Sequence, residues 1–130
     1  MTYSITGFKN SESQSVINVL PLISTSATTT SNTGNYSISV SGADDDNYSF
    51  SYQNGTLTVK QASLTVTAED KTREQGQPNP EFTLAYSDFK NNETASVLDV
   101  LPTISCVSNI NSPAGFYDII LTGGSDNNYQ

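Results

Sequence analysis

The feature that most constrains this chain is an internal repeat with an offset of 81 residues. Residues 1–49 align with residues 82–130 without a gap, and 20 of the 49 positions are identical. The shared segments include Phe-Lys-Asn, Val-Leu-Pro and Gly-x-Tyr-x-Ile, each found once in each copy. An ungapped match of this length indicates that one folding unit was copied in tandem, so we expect the same backbone twice.

Neither copy is complete within the 130 residues. We predict two domains: residues 1–60 form a first repeat that lacks its N-terminal strands, and residues 61–130 form a second repeat that lacks its C-terminal hairpin. Because both ends fall inside a repeat, we expect an interior piece of a longer polypeptide. Open strand edges are templates for pairing with another chain, so we also expect strand-swapped self-association.

Most segments alternate apolar and polar residues with a period of two, which predicts strands. One pair of strands, at residues 50–53 and 56–59, flanks Asn54-Gly55, and this dipeptide predicts a hairpin with a type I′ turn. The other predicted strands lie at residues 3–5, 36–40, 64–68, 82–86, 103–107 and 117–121.

One segment in each copy has helical spacing instead. Residues 93–101 place apolar side chains at positions 97, 98 and 101 before Pro102, and the first copy has the same pattern before Pro21. This spacing predicts a short helix of about two turns that ends at the proline. The predicted fold class is therefore α+β and strand-dominated, with a small antiparallel sheet per repeat, one short helix, and two tandem repeats.

Charge and residue inventory narrow the function classes. Thirteen Asp and Glu against five Lys and Arg give a net charge of -8, whereas a nucleic-acid partner requires a basic footprint. No apolar run is long enough for a membrane span, so we expect no membrane insertion. Histidine is absent and Cys106 is the single cysteine, which removes the usual general base, internal disulfides and multi-cysteine zinc sites.

The carboxylates of Glu69 and Asp70 are predicted on opposite faces of a strand, so they would not share a glycosidase site. We predict a non-enzymatic chain without a cofactor.

The densest acidic cluster is a candidate cation site. Asp44, Asp45 and Asp46 precede Asn47, and carboxylate and amide oxygens are the ligands that Ca²⁺ prefers. Their spacing matches no EF-hand loop, and the second copy keeps only Asp126. Asp and Asn also favour plain turns. We therefore expect a turn, with a weak Ca²⁺ site at these three carboxylates as the alternative.

Two tyrosines beside these turns are candidate ligand contacts. Tyr48 and Tyr129 follow the acidic segments, and an exposed ring of this kind can stack on the apolar face of a sugar. Packing at a corner of the fold is the alternative that we favour for both rings. Tyr36 and Tyr117 alternate with isoleucines, which is typical of core positions.

Four kinds of segment form a recognisable set: residues 55–72, residues 76–80, residues 86–89, and the ends at 46–48 and 127–129, which finish in Asn-Tyr. Together they resemble the MBG-type repeats of bacterial surface adhesins, named after a mucin-binding glycoprotein. The resemblance covers almost the whole chain. It departs at Gln75, where the family typically has Tyr, and at Asp88, where Gly is usual and Gly7 keeps it in the first copy.

The resemblance implies a non-enzymatic repeat of a bacterial cell-surface adhesin, extracellular in location. The leading hypothesis is a stiff stalk or spacer that contributes to adhesion and has neighbouring repeats of the same chain as its partners. The alternative is a glycan- or mucin-binding module for host glycoprotein, with weak affinity per repeat raised by multivalency. The family implies no mapped binding residues, so none is carried over.

Overall fold

A computed structural model describes all 130 residues, which form two compact units. Unit 1 is Met1–Val59 and unit 2 is Lys60–Gln130. The predicted strand-dominated architecture of small antiparallel sheets is confirmed, and no helix is long and apolar enough to cross a membrane. The strands are β1 (Leu22–Thr25), β2 (Gly34–Ser41), β3 (Gly55–Val59), β4 (Thr65–Ala68), β5 (Leu84–Ser87), β6 (Thr103–Cys106) and β7 (Ile119–Thr122).

Unit 1 contains one three-stranded antiparallel sheet in the order β1-β2-β3. The C-terminal half of β2 pairs with β1, and Thr25 lies opposite Ile38. The N-terminal half of β2 pairs with β3, and Gly34 lies opposite Val59. The central strand is thus held on both edges, although each edge is covered along only part of its length.

Unit 2 contains two two-stranded antiparallel sheets, β4-β5 and β6-β7. Val66 lies opposite Tyr86 in the first sheet, and Ile104 lies opposite Leu121 in the second. An isolated parallel bridge joins Ala62 to Tyr129, which ties the beginning of the unit to its end. The β6-β7 pair of unit 2 corresponds in register to the β1-β2 pair of unit 1.

The two copies differ where one of them lacks a pairing partner. The residues equivalent to β2 are 115–122, but only Ile119–Thr122 form a strand. In unit 1 the first residues of β2 pair with β3, whereas residues 115–118 pair with no strand of unit 2. Residues 115–118 therefore keep the sequence pattern of a strand without forming one, because no strand lies beside them.

The strand predicted at residues 3–5 is also wrong, because a segment without a pairing partner does not form a strand. These residues have no regular structure, whereas their counterparts in β5 form a strand by pairing with β4. No strand of unit 1 pairs with residues 3–5. An alternating pattern alone does not hold an extended segment in place, since an unpaired strand gains no ladder of hydrogen bonds.

The hairpin predicted across Asn54-Gly55 is also wrong. Residues 50–53 form no strand, and neither Asn54 nor Gly55 has a positive φ. β3 pairs instead with β2, where Leu57 lies opposite Tyr36. The longer edge of β2 offers five paired positions and an apolar contact, which outweigh a local two-residue turn.

Two successive positive φ angles occur elsewhere than at Asn54-Gly55, at equivalent positions of the two copies. Asn10 and Ser11 have φ of 53° and 61°, and Asn91 and Asn92 have φ of 53° and 59°. The N–H of Glu12 donates to the carbonyl of Lys9 at 2.9 Å and closes the first of these turns. Asn tolerates this left-handed region better than most residues, which explains its recurrence in both copies.

Gly7 and its counterpart Asp88 also share a positive φ, at 94° and 78°. Glycine adopts this conformation without strain, whereas aspartate does not. The Asp88 carboxylate accepts a hydrogen bond from the Thr65 hydroxyl at 3.3 Å. The departure from glycine noted in the sequence therefore leaves the turn geometry intact and adds one side-chain contact to β4.

The predicted short helix of about two turns is wrong. Residues 93–101 contain a single 3-10 turn, Ala95–Val97, and the first copy has the equivalent turn at Gln14–Val16. Thr94 makes no side-chain capping hydrogen bond, and Leu98 is already extended. Thr, Ser and Val have low helix propensity, and the backbone bridge between Val100 and Ser125 pulls the chain into an extended conformation.

Very little of the chain is buried. Three residues are buried: Ile17 at 8% and Tyr129 at 6% exposure, together with Pro21. Sheets of two or three strands cannot cover a large core. The arrangement of each unit must therefore depend heavily on backbone pairing and on hydrogen-bonded side chains.

Candidate functional site

The acidic segment Asp44–Asp46 lies just after β2 and is fastened through its backbone. The N–H of Val19 donates to the carbonyl of Asp44 at 2.9 Å, and the N–H of Asp44 donates back to Val19 at 3.0 Å. Unit 2 repeats this reciprocal pair between Val100 and Ser125, with both distances at 3.0 Å. The turn is thus held in the same place in both copies, whether or not its first residue is acidic.

Two carboxylates of this segment bind Asn18. The Asn18 backbone N–H donates to Asp45 Oδ2 at 3.2 Å, and the Asn18 side-chain amide donates to Asp46 Oδ2 at 3.3 Å. Asp45 Oδ1 also accepts from the N–H of Asn47 at 2.9 Å, as in an Asx turn. These oxygens therefore stabilise the turn itself.

Nothing in the structure gathers the three carboxylates around a common point. No group of three or more His, Cys, Asp or Glu side chains is placed to hold a metal ion. Asp45 and Asp46 both direct oxygens at N–H donors of Asn18. The weak Ca²⁺ site at Asp44, Asp45 and Asp46 stays a prediction, while their observed contacts are those of a plain turn.

The second copy makes the same link with donor and acceptor exchanged. The offset of 81 turns Asn18 into Asp99 and Asp46 into Asn127. Asp99 Oδ2 accepts from the Asn127 backbone N–H at 3.2 Å and from its side-chain amide at 2.9 Å. Each copy therefore keeps one amide and one carboxylate at this contact, with their positions reversed.

Tyr48 lies at the centre of a first tyrosine cluster, made of Phe8, Lys9, Glu12 and Tyr48. Its hydroxyl donates to Glu12 Oε2 at 2.5 Å and accepts from the Lys9 backbone N–H at 3.1 Å. Its half-buried ring packs edge-on against Phe8, with centroids 5.6 Å apart. One side chain thus fixes the left-handed turn at residues 9–12 to the end of the acidic segment.

The second tyrosine cluster reproduces these contacts with Phe89, Lys90, Glu93 and Tyr129. The Tyr129 hydroxyl donates to Glu93 Oε2 at 2.5 Å and accepts from the Lys90 N–H at 2.9 Å, and the Phe89 ring lies 5.3 Å away. Tyr129 is more buried than Tyr48 because residues near Ala62 also pair with it.

These contacts bear on the ligand role expected for the two tyrosines. A ring that stacks on a sugar needs a free face, and Tyr129 is only 6% exposed. Both hydroxyls already have a donor and an acceptor within the unit. The observed geometry is that of corner packing, the alternative weighed above, and ligand binding by Tyr48 and Tyr129 stays a prediction.

The pKa values of both phenols are raised above their ordinary value, for reasons that differ in order. For Tyr48 the largest cause is the hydrogen bond to Glu12, which requires the neutral hydroxyl. For Tyr129 burial comes first and the hydrogen bond to Glu93 second, since both disfavour the phenolate. A neutral phenol is thus part of each cluster.

The carboxylate pair considered for glycosidase chemistry is engaged elsewhere. Neither Glu69 nor Asp70 lies in a strand, because β4 ends at Ala68. Glu69 accepts a short hydrogen bond from the Thr83 hydroxyl and pairs with Lys71 at 3.1 Å. The Thr83 bond first, and Lys71 second, lower the pKa of Glu69, which is the opposite of what a general acid needs.

Cys106 ends β6 as a half-buried side chain. Its Sγ lies 3.2 Å from the Ser108 hydroxyl, and no histidine exists to activate it as a nucleophile. Cys106 is thus a small, partly packed side chain.

Sequence reasoning missed the long-range partners of the tyrosines. Glu12 is 36 positions from Tyr48, too far for any local pattern to reveal the contact. A signal was nevertheless available, since Phe-Lys-Asn-x-Glu and Asn-Tyr recur together at the same offset. Polar residues that recur in step with a distant aromatic residue are candidates for one shared contact.

The family model of the MBG domain (YGX type) matches residues 1–58 and again residues 64–130. The curated proteins and the solved structures contain no significant match to the chain.

Because the amide and the carboxylate of this contact change places between the copies, we predict that substitutions at Asn18 and Asp46 have coupled effects on stability. Asn18→Asp alone places two carboxylates together and should destabilise unit 1 by about 0.5–1 kcal/mol. Adding Asp46→Asn recreates the pairing seen in unit 2 and should restore most of that loss. Amide hydrogen exchange of β2 measures the effect on unit 1 alone. Strictly additive effects of the two substitutions would contradict the coupling.

The raised pKa values predict a loss of stability at high pH. Because the folded pKa of each phenol lies above its ordinary value of 10.0, the contribution is complete below pH 10 and is lost as pH rises through the folded value. The melting temperature should therefore fall above pH 10, with the phenolate absorbance rising in step. In the control with Tyr48→Phe and Tyr129→Phe, this fall should be shallower; an unchanged slope would argue against the assignment.

Proposed function

The chain belongs to the MBG domain family of the YGX type, and on this premise we propose that it is a non-enzymatic repeat of a bacterial cell-surface adhesin that acts as a stiff stalk or spacer. The observation that carries the proposal is the construction of the same tyrosine cluster in both units, through matching hydrogen bonds. Its location is extracellular, and its partners are neighbouring repeats of the same chain.

A spacer holds other parts of a protein at a distance, so each of its units must be stabilised by contacts within that unit. All contacts of the first tyrosine cluster lie within Met1–Val59, and all contacts of the second lie within Lys60–Gln130. The reach of such an array increases with the number of units. A net charge of -8 and the abundant Ser, Thr and Asn keep the surface hydrated and disfavour non-specific association.

A spacer on a cell surface must also withstand tension, and unit 2 has a suitable arrangement. The segments around Ala62 and Tyr129 run parallel, so pulling on the two ends of the unit slides them along each other. Three backbone bonds resist this motion: Ala62 N–H to Asn128 at 2.8 Å, Gln130 N–H to Ala62 at 2.9 Å, and Leu64 N–H to Gln130 at 2.9 Å. Because the two segments run parallel, this pull loads all three bonds at once.

This arrangement predicts that Ala62→Pro weakens unit 2 under load, because proline cannot donate to Asn128. Stretching single molecules by their ends should give two unfolding events, releasing roughly 210 Å for unit 1 and roughly 255 Å for unit 2 of extended chain. The substitution should lower only the force of the longer event. Unit 1 is the control within the same trace, and an unchanged force for the longer event would refute the role of these bonds.

The alternative function is a glycan- or mucin-binding module. It draws some support from Phe116, which is fully exposed, and from the half-exposed ring of Tyr48. The buried ring of Tyr129 and the occupied hydroxyls favour the spacer.

A glycan array and a mucin pull-down separate the two functions when run with this chain and with several copies joined in tandem. The spacer predicts no binding at any valence. Binding that strengthens steeply with copy number would replace the spacer by the binding module.

A further inference from the structure

Asn54-Gly55 is the only Asn-Gly sequence in the chain, and it does not form the turn predicted from it. Gly55 instead begins β3, opposite Ile38 at the end of the β2-β3 ladder. Its φ is not positive, and a Cβ at this position would lie 3.6 Å from Ile38 Cβ, an ordinary van der Waals distance. Neither the backbone nor the packing of the sheet therefore requires glycine here.

The Asn54 side chain is accessible to solvent and makes no hydrogen bond. Residues 48–54 have no regular structure, and residues 51–58 are exposed without interruption. The backbone nitrogen of Gly55 belongs to the terminal pair of the ladder, where local opening costs the least free energy. The side-chain amide and the main-chain nitrogen that follows it can thus approach each other.

We propose that Asn54 is a site of spontaneous covalent modification, at which its side-chain amide is lost and a mixture of aspartate and isoaspartate forms. In isoaspartate the main chain continues through the side-chain carboxyl group. Water is the only co-reactant. The proposal does not depend on the spacer function.

The reaction has two steps, and neither requires an oxidant or a reductant. The Gly55 nitrogen loses its proton to solvent and attacks Asn54 Cγ, which closes a five-membered succinimide ring, while Nδ2 takes up a proton and leaves as ammonia. The attack is favoured because both groups belong to neighbouring residues of one chain. Water then adds to one of the two ring carbonyls. Breaking the bond from the nitrogen to Cγ gives aspartate, and breaking its bond to the main-chain carbonyl carbon gives isoaspartate.

The residue that follows each asparagine decides which site reacts. Glycine has no Cβ to obstruct the attack, whereas Asn10 precedes serine. Asn79 precedes proline, which has no N–H to lose. The side-chain amides of Asn18 and Asn127 are held by carboxylates. Asn54 should therefore react first.

Isoaspartate at this position would loosen the start of β3. The Tyr52 hydroxyl accepts from the N–H of Ala43 at 2.8 Å and donates to the carbonyl of Ala43 at 3.3 Å, which fixes the chain just before Asn54. Pairing with Ile38 fixes the chain just after it, at Gly55. An added methylene group in so short a connection shifts Gly55 away from its partner, whereas aspartate adds only a negative charge.

The test ages the full 130-residue protein at mildly alkaline pH and physiological temperature. Ion exchange should show one added negative charge, and electron-transfer fragmentation of the tryptic peptide 10–60 should locate both products at position 54. The rate should rise with pH, because the Gly55 nitrogen must lose its proton. Amide hydrogen exchange at residues 55–57 should become severalfold faster in the aged protein, while that of unit 2 stays unchanged.

Gly55→Ala is the matched control, because its added Cβ makes only an ordinary contact with Ile38. It should slow the modification at least about tenfold and preserve the exchange rates of β3 during ageing. The proposal is overturned if position 54 stays unmodified in the folded protein, if it reacts only after denaturation, or if Gly55→Ala reacts at the same rate. A second variant, Asn54→Gln, leaves the glycine in place in case Gly55→Ala disturbs β3. Equally faster exchange in aged Asn54→Gln would overturn the proposed effect on β3.

Discussion

The pairing of strand edges governs the rest of this structure. Equivalent sequences adopt different backbones in the two units, and the difference follows the presence of a neighbour. β2 runs for eight residues because β1 and β3 cover its two halves, whereas β7 is limited to the four residues that β6 covers. With so few side chains buried, extended segments have no packing to hold them when the ladder is missing.

The tyrosine clusters compensate in part for the small core. Each joins a left-handed turn, a carboxylate and an aromatic neighbour through one phenol, at contacts 36 and 39 residues apart in sequence. Such long closures cost chain entropy, so several interactions at one point are needed to make them favourable. Their recurrence in both units, one with a more exposed ring than the other, indicates that the cluster forms even where the surrounding sheet is incomplete.

Strands could be predicted from the sequence where the alternating pattern of apolar and polar residues lies close in the chain to the strand that pairs with it. Residues 36–40 and 103–107 are examples, and the repeat and family were visible from the residues themselves. The strand at residues 3–5 and the hairpin at Asn54-Gly55 failed because their patterns are local while pairing is a long-range choice. At the candidate site, the sequence favoured corner packing for Tyr129, but it could not show that Ala62, which is 67 positions away, is one of the residues that bury it.

The reversed amide–carboxylate contact has a consequence for arrays of similar units. Neighbouring repeats risk exchanging equivalent segments during folding, because their sequences are alike. A hybrid that joined the Asp99 segment to the Asp46 turn would set two negative groups against each other, whereas each unit folded on itself pairs an amide with an acid. Opposite polarity at one contact thus disfavours misassembly between adjacent units, while each unit folded on itself keeps one favourable amide–carboxylate contact.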